Sequence, residues 1–267
     1  MGKLDGKVAI ITGGAMGMGY GCAKVMAKHG AKLALVDYSD KVFETAEGLI
    51  KEGYQVIAFK IDIREAAALK EAYKKVADTY GKIDILANVA GVADCSSFTE
   101  FDDEIRDRIM DINFKGCWNS CQSAIPYMLK NKYGKIIIFS SVTGNIVCDP
   151  GMTAYGSSKG AVLGLTKTLA SEYASRNITV NAILPGGVDT PMIRKLCDEM
   201  CPEDPQCVID AIASNVPMKR LGTIEEAGEV ASFLASDESS YITGTTILFD
   251  GGSCLPESPC SGWEPVE

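Results

Sequence analysis

Short runs of β-branched and aliphatic residues alternate with longer stretches of helical period along nearly the whole chain. The runs predict strands over 7–12, 32–37, 55–61, 83–88, 134–140, 179–184 and 245–249. Between them the pattern predicts helices over 17–29, 40–52, 65–80, 102–131, 154–176 and 224–236. Runs such as Val8-Ala9-Ile10-Ile11 and Ile136-Ile137-Ile138-Phe139 lack polar alternation, as parallel strands covered on both faces do. Regular strand–helix alternation implies an α/β fold: one doubly wound, seven-stranded parallel sheet with helices on both faces. Two regions escape the alternation. Residues 189–218 are broken by Pro202 and Pro205 into two short helices, and 253–267 form a tail rich in Pro, Ser and Gly.

Length and composition narrow the class. With 267 residues and 46% hydrophobic content, the chain suits a single domain with a full core. No apolar run reaches the roughly 18–20 residues of a membrane span. The start, Met1-Gly2-Lys3-Leu4-Asp5-Gly6, has no leader pattern, so a cytoplasmic protein is expected. A net charge of −9 argues against nucleic acid as a partner. Ten scattered cysteines read as reduced thiols. Cys197, Cys201 and Cys207 cluster without a CxxC pair, and the only histidine, His29, lies far off at a helix end. No metal site is expected, and a histidine-based hydrolase triad is disfavoured.

The first strand runs into Thr12-Gly13-Gly14-Ala15-Met16-Gly17-Met18-Gly19 and then a helix. Glycines at such a turn let backbone approach a pyrophosphate seated at the helix N-terminus. Asp37 ends the second strand, 18 residues beyond Gly19, where a carboxylate accepts both hydroxyls of an adenosine ribose. The same carboxylate repels a 2′-phosphate, and neither the turn nor Tyr38-Ser39 carries a cation, although Lys41 is close. NAD(H) is therefore expected over NADP(H). No Gly-Lys-Ser/Thr ends the turn, which disfavours nucleoside triphosphate hydrolysis.

Tyr155 and Lys159 stand four residues apart in a helical stretch, so their side chains share a face. An ammonium beside a phenol favours the phenolate, a base suited to an alcohol proton. At most such surface pairs the two residues are only neighbours; here the glycine turn and Asn88-Val89-Ala90-Gly91 precede them in order.

Together these motifs resemble the short-chain dehydrogenase/reductase family in its compact form, with a Rossmann fold, over residues 5 to about 252. The resemblance implies that Gly13, Gly17, Met18 and Gly19 hold the pyrophosphate, Asp37 the ribose, and Asp62 with Ile63 the adenine. Asn88, Ala90 and Gly91 would support sheet and cofactor; the family's second Asn is Val89 here. Asn113, Ser141, Tyr155 and Lys159 would form the catalytic set, with Tyr155 as acid/base, Ser141 on the substrate oxygen, Lys159 also on the nicotinamide ribose and Asn113 anchoring a water. Ser141 lies 14 residues before Tyr155, and alignment of the following Val-Thr-Gly favours it over Ser140. Pro185, Gly186, Val188 and Thr190 would line the nicotinamide, with Gly187 leaving room over the ring.

Substrate choice lies in loops and is less legible. Met192, Ile193, Leu196, Met200, Val208, Ile209 and Ile212 suit an apolar lid over a hydrophobic secondary alcohol or ketone. The resemblance extends to bacterial hydroxysteroid dehydrogenases, so a hydroxysteroid or bile acid is expected, with Arg194 available to an anionic tail. A sugar, polyol or small ketone is the alternative, and a non-catalytic NAD(H) sensor the alternative of another class. The family implies a homotetramer, and Trp263 suggests that the tail docks on a protein surface.

Overall fold

The structure is a computed structural model that describes residues 2–256. Seven strands, β1 (Val8–Thr12), β2 (Lys32–Asp37), β3 (Val56–Lys60), β4 (Ile85–Asn88), β5 (Gly134–Phe139), β6 (Ile178–Pro185) and β7 (Thr246–Phe249), form one sheet. Their order is β3-β2-β1-β4-β5-β6-β7, and every neighbouring pair is parallel. The sheet reverses its winding between β1 and β4, whose ends meet at the pair Thr12 and Asn88. A crevice therefore opens beyond the C-terminal ends of these strands, where open α/β sheets bind ligands.

Strand alternation sorts the core into two layers. Ala9 and Ile11 face α1 (Gly17–Lys28), α2 (Lys41–Lys51) and α9 (Ile224–Ala235), with Met26, Leu49 and Leu234 among the buried partners. Val8 and Ile10 face α3 (Ala66–Tyr80), α5 (Cys117–Asn131) and α6 (Thr153–Tyr173), through Leu69, Tyr73, Met128 and Val162. Each fully buried side chain of this kind contributes about 1.5–3 kcal/mol of transfer free energy. His29 caps the end of α1 and places Nε2 3.0 Å from Glu229 Oε2 on α9, a packing role away from the crevice.

The stretch 102–131 is not the single uniform helix that its periodicity predicts. It divides into α4 (Asp103–Met110), a π turn (Asp111–Gly116) and α5. Asp102 caps α4 by accepting from the Glu104 and Ile105 amides. The π turn arises at Asn113, whose side chain bonds the chain at Val92 instead of lying along the helix; such bulges gather at functional sites. Residues 189–218 do form two helices, α7 (Pro191–Met200) and α8 (Pro205–Asn215). Both open on a proline, which suits a first helical position, and are capped by Thr190 and Asp204. Residues 257–267, including Trp263, lie outside the described residues. No described helix is long and apolar enough to cross a membrane.

Candidate active site

Thr12, with no exposed surface, ends β1 and ties the crevice floor together. Its hydroxyl donates to Asn88 Oδ1 at 2.7 Å and accepts from the Val89 and Ala90 amides. Asn88 in turn donates to the Cys117 carbonyl. These bonds lock the start of the Asn88–Gly91 segment to the end of β1 and leave Ala90 hard against Gly13, where a Cβ would sit 2.9 Å from Ala90 N and Cα. Gly13 also has φ +69°, so glycine is required twice over. A Cβ on Gly19 would overlap the Gly13 carbonyl oxygen.

The N-terminus of α1 carries no side-chain cap. Its first amides are left for an anion, and the helix dipole favours one there. Asp37, buried at the end of β2, accepts from the Ala15 amide at 3.1 Å and the Ser39 amide at 3.0 Å. Both oxygens keep lone pairs for ribose hydroxyls. Two nearby cations are engaged, Lys60 with Asp40 at 2.7 Å and Arg64 with Asp62 at 2.6 Å. The Arg64 bonds hold the Asp62 carboxyl below the usual range. Ile63 is buried against Gly116 of the π turn.

The four polar residues converge beyond β4 and β5. Lys159 is 5% exposed, and its Nζ donates to the Phe139 carbonyl at the end of β5, 2.9 Å away. The same Nζ lies 5.6 Å from the Tyr155 ring centre, one helical turn back on α6. Tyr155 is half-buried, and its hydroxyl has no hydrogen-bond partner among the described residues. The two neighbouring serines differ in use. Ser140 donates to the Lys159 carbonyl and accepts from Asn145, whereas Ser141 only accepts, from the Thr143 amide at 3.1 Å. The Ser141 proton is thus free to reach a ligand, in keeping with the choice of Ser141 over Ser140.

Asn113 is 2% exposed and fully engaged. Its Oδ1 accepts from the Val92 amide, and its Nδ2 donates to the Val92 carbonyl and to Ser158 Oγ, all within 2.9 Å. Its amide therefore holds the segment after β4 against α6 rather than presenting a donor to the crevice. Asn113→Ala removes these bonds and leaves two part-buried Val92 backbone groups and the buried Ser158 hydroxyl without this partner. We expect unfolding in urea to show a loss of about 2–4 kcal/mol.

Above the crevice, Val188 is buried and bridges Gly222 through its neighbours: the Gly222 amide donates to Gly187 O and the Asp189 amide to Gly222 O. The amide and carbonyl of Val188 itself bond nothing among the described residues. Buried backbone groups are rarely left so, and this pair matches the donor and acceptor of a carboxamide. Pro185 ends β6 and Gly186 lies against Asp250. Thr190 and Pro191 reach over to Gly17. Two expectations change here. Space beside Gly187 is filled by Leu221 and Ile212, whose side chains would lie 2.9 and 3.4 Å from a Cβ. Arg194 is held by Asp189 through two 2.7 Å bonds and does not stand free for an anionic tail.

Several positioning residues escaped the sequence reading. Gly144, at φ +86°, lies so close to Gly156 that a Cβ would overlap the Gly156 carbonyl; this clamps the Ser141 loop onto the helix carrying Tyr155. Asn145 braces the same loop through Ser140 Oγ and Ser141 O. Ser158 links Asn113 to the Tyr155 carbonyl. Among these only the glycines left a signal, and it did not show that their backbones touch. No cluster of three or more metal-ligating side chains occurs among the described residues.

Residues 13–253 match the family model described as Enoyl-(Acyl carrier protein) reductase. The chain belongs to the short-chain dehydrogenase/reductase family. Within that family, oxidoreductase UcpA of Salmonella typhimurium is 49% identical over 262 residues, covering 98% of this chain and all of that protein. The 3-oxoacyl-(acyl-carrier-protein) reductase FabG of Thermotoga maritima is 40% identical, over 94% of this chain and 98% of the relative. A crystal structure of levodione reductase superposes with a TM-score of 0.90 at 29% identity, covering 94% and 98% of the two chains. As a member of this family, the chain is an oxidoreductase acting on CH–OH groups, and the family normally uses a nicotinamide cofactor.

Proposed function

We propose that this protein is an NAD(H)-dependent dehydrogenase that interconverts an apolar secondary alcohol and its ketone, with Tyr155 as general acid/base. The convergence of Lys159, Tyr155 and the uncommitted Ser141 hydroxyl at the end of β5, beside the glycine turn, carries this reading. Gly13, Gly17, Met18 and Gly19 would seat the pyrophosphate, and Asp37 the ribose, with Asp62 and Ile63 by the adenine. Val188 would hold the carboxamide, flanked by Pro185, Gly186 and Thr190. Held by these residues, NAD(H) would supply the hydride acceptor or donor. Ser141 donates to the substrate oxygen and fixes it beside Tyr155. Tyr155 takes the alcohol proton in oxidation and returns it in reduction. Buried Lys159, its Nζ 5.6 Å from the Tyr155 ring, would bond the nicotinamide ribose. Asn113 positions these groups through Val92 and Ser158. A passive NAD(H) sensor would not need this set of side chains.

Asp37 supports NAD(H): its carboxylate sits buried with only backbone donors around it. Hydrogen bonds to a charged group contribute about 1.5–3 kcal/mol. Asp37→Ser should therefore weaken NADH binding by roughly 10–100-fold and move the NADPH/NADH affinity ratio upward. Fluorescence titration with both cofactors reads this directly. Equal wild-type affinity for NADPH would overturn the assignment.

For the substrate, Met192, Leu196 and Met200 on α7 are large, apolar and exposed, which supports a lid for an apolar ligand. The hydroxysteroid expectation keeps this apolar part. Its anionic extension loses support, because Arg194 is paired, and the relatives named for a substrate, FabG and levodione reductase, are named for others. We favour an uncharged cyclic ketone or alcohol, neutral steroids included, over bile acids, sugars and polyols. A panel of neutral steroids, bile acids, cyclic diketones, 3-oxoacyl thioesters and polyols tests this order. Preferential turnover of polyols or bile acids would contradict it. We also propose a cytoplasmic homotetramer, for which sedimentation is the test of assembly.

A further inference from the structure

The link between α7 and α8 carries two thiols that the reaction does not use. Cys201 closes α7 and Cys207 lies in the first turn of α8, with their sulfurs 3.9 Å apart. Cys207 is exposed and Cys201 half-buried, so one sulfur meets solvent and the other waits behind it. The turn between them is built by backbone: the Asp204 amide donates to the Cys201 carbonyl and the Cys207 amide to Asp204 O and Oδ1. It therefore holds the cysteines in register. A disulfide requires an S–S distance of about 2.0 Å, which leaves about 2 Å of travel. The other neighbouring pair, Cys117 and Cys121 on α5, is buried and out of reach of a soluble oxidant.

We propose that Cys201 and Cys207 are a dithiol modification site that closes to a disulfide with a small-molecule disulfide such as oxidised glutathione. The Cys207 thiolate attacks one sulfur of glutathione disulfide and releases one glutathione thiolate. Cys201, as thiolate, then attacks the Cys207 sulfur of the mixed disulfide and releases the second. Two protein thiols are oxidised and one glutathione disulfide is reduced to two glutathiones, with no other reactant. The contact with Cys201, then desolvation, and only then the acids Asp204 and Asp210 hold the Cys207 thiol above its ordinary range. Raising the pH increases the thiolate fraction and so speeds the first attack. Because α7 carries the lid residues in the functional reading above, on which this consequence rests, the bond would pin the end of α7 to α8 and change substrate access.

Reduced full-length protein treated with millimolar oxidised glutathione tests both parts. The tryptic peptide 196–219 should lose two hydrogen masses, and acid cleavage at the Asp204–Pro205 bond should leave its halves joined. Cys197→Ser should behave like wild type, while Cys207→Ser should form no 201–207 bond. A persistent glutathione adduct on wild-type Cys207, or a bond to Cys197 instead, would overturn the site. For any ketone turned over, the oxidised wild type should show KM changed about threefold or more, with NADH affinity unchanged. Cys207→Ser should show no such change. A 201–207 bond that forms with KM unmoved would overturn the gating while leaving the Tyr155 reading intact, since that reading fails only if Tyr155→Phe retains turnover.

Discussion

Tyr155→Phe lowers kcat by about 10³–10⁴-fold while leaving NADH affinity within a factor of about two. The substitution removes one oxygen from a half-buried side chain and leaves the ring that packs 5.6 Å from Lys159 Nζ. That hydroxyl has no protein hydrogen-bond partner among the described residues, so its loss breaks no internal bond and the fold should not notice. What disappears, on the proposed mechanism, is the group that moves the alcohol proton. Positioning by Ser141 and the cofactor cradle survive, which sets a residual rate above zero. Stopped-flow absorbance of the nicotinamide, with a fluorescence titration of NADH, separates the two quantities. Near wild-type turnover would mean that another group carries the proton.

Gly19→Ala should have the second largest effect, and by a different route. Its new methyl group falls on the Gly13 carbonyl oxygen, which is backbone and cannot swing aside. Gly13 is in turn pressed against Ala90, itself held by the Thr12 hydroxyl. Relief therefore requires the whole turn to open. Overpacking of flexible cores costs about 1–3 kcal/mol, and a backbone clash belongs at or above the upper end. We expect thermal unfolding to move down by several degrees, as about 3 kcal/mol implies for a domain of this size. NADH affinity should fall by about 100-fold or more, because a displaced turn no longer presents its amides. An unchanged affinity would mean that the turn is not where the pyrophosphate sits.

The fold was legible because a parallel sheet buried on both sides must be written in uninterrupted apolar runs, and all seven runs became strands. Its limit shows at 102–131. Periodicity cannot register that the Asn113 side chain prefers two bonds at Val92 to a regular helical turn. Candidate site residues with fixed local context, such as Asp37 at the end of β2 and Tyr155 one turn from Lys159, could be proposed from spacing. The contacts that orient them could not. Alignment of Val-Thr-Gly separates Ser141 from Ser140, but the bond that occupies the Ser140 proton runs to the Lys159 carbonyl, 19 residues on. Arg194 likewise looked free until Asp189, five residues back, was seen to hold it. The substrate is hardest to read because α7 exposes Met192, Leu196 and Met200 instead of enclosing a pocket with them.

Deuteride transfer tests the central claim most directly. NADH carrying deuterium at the reactive nicotinamide carbon is incubated with the protein and the ketone panel, and products are examined by mass spectrometry and NMR. The account predicts a secondary alcohol from an apolar ketone with one deuterium on the carbinol carbon, formed by the wild type and suppressed in Tyr155→Phe. NADH bound at stoichiometry with no deuterium reaching any ketone, or transfer that survives in Tyr155→Phe, would contradict it.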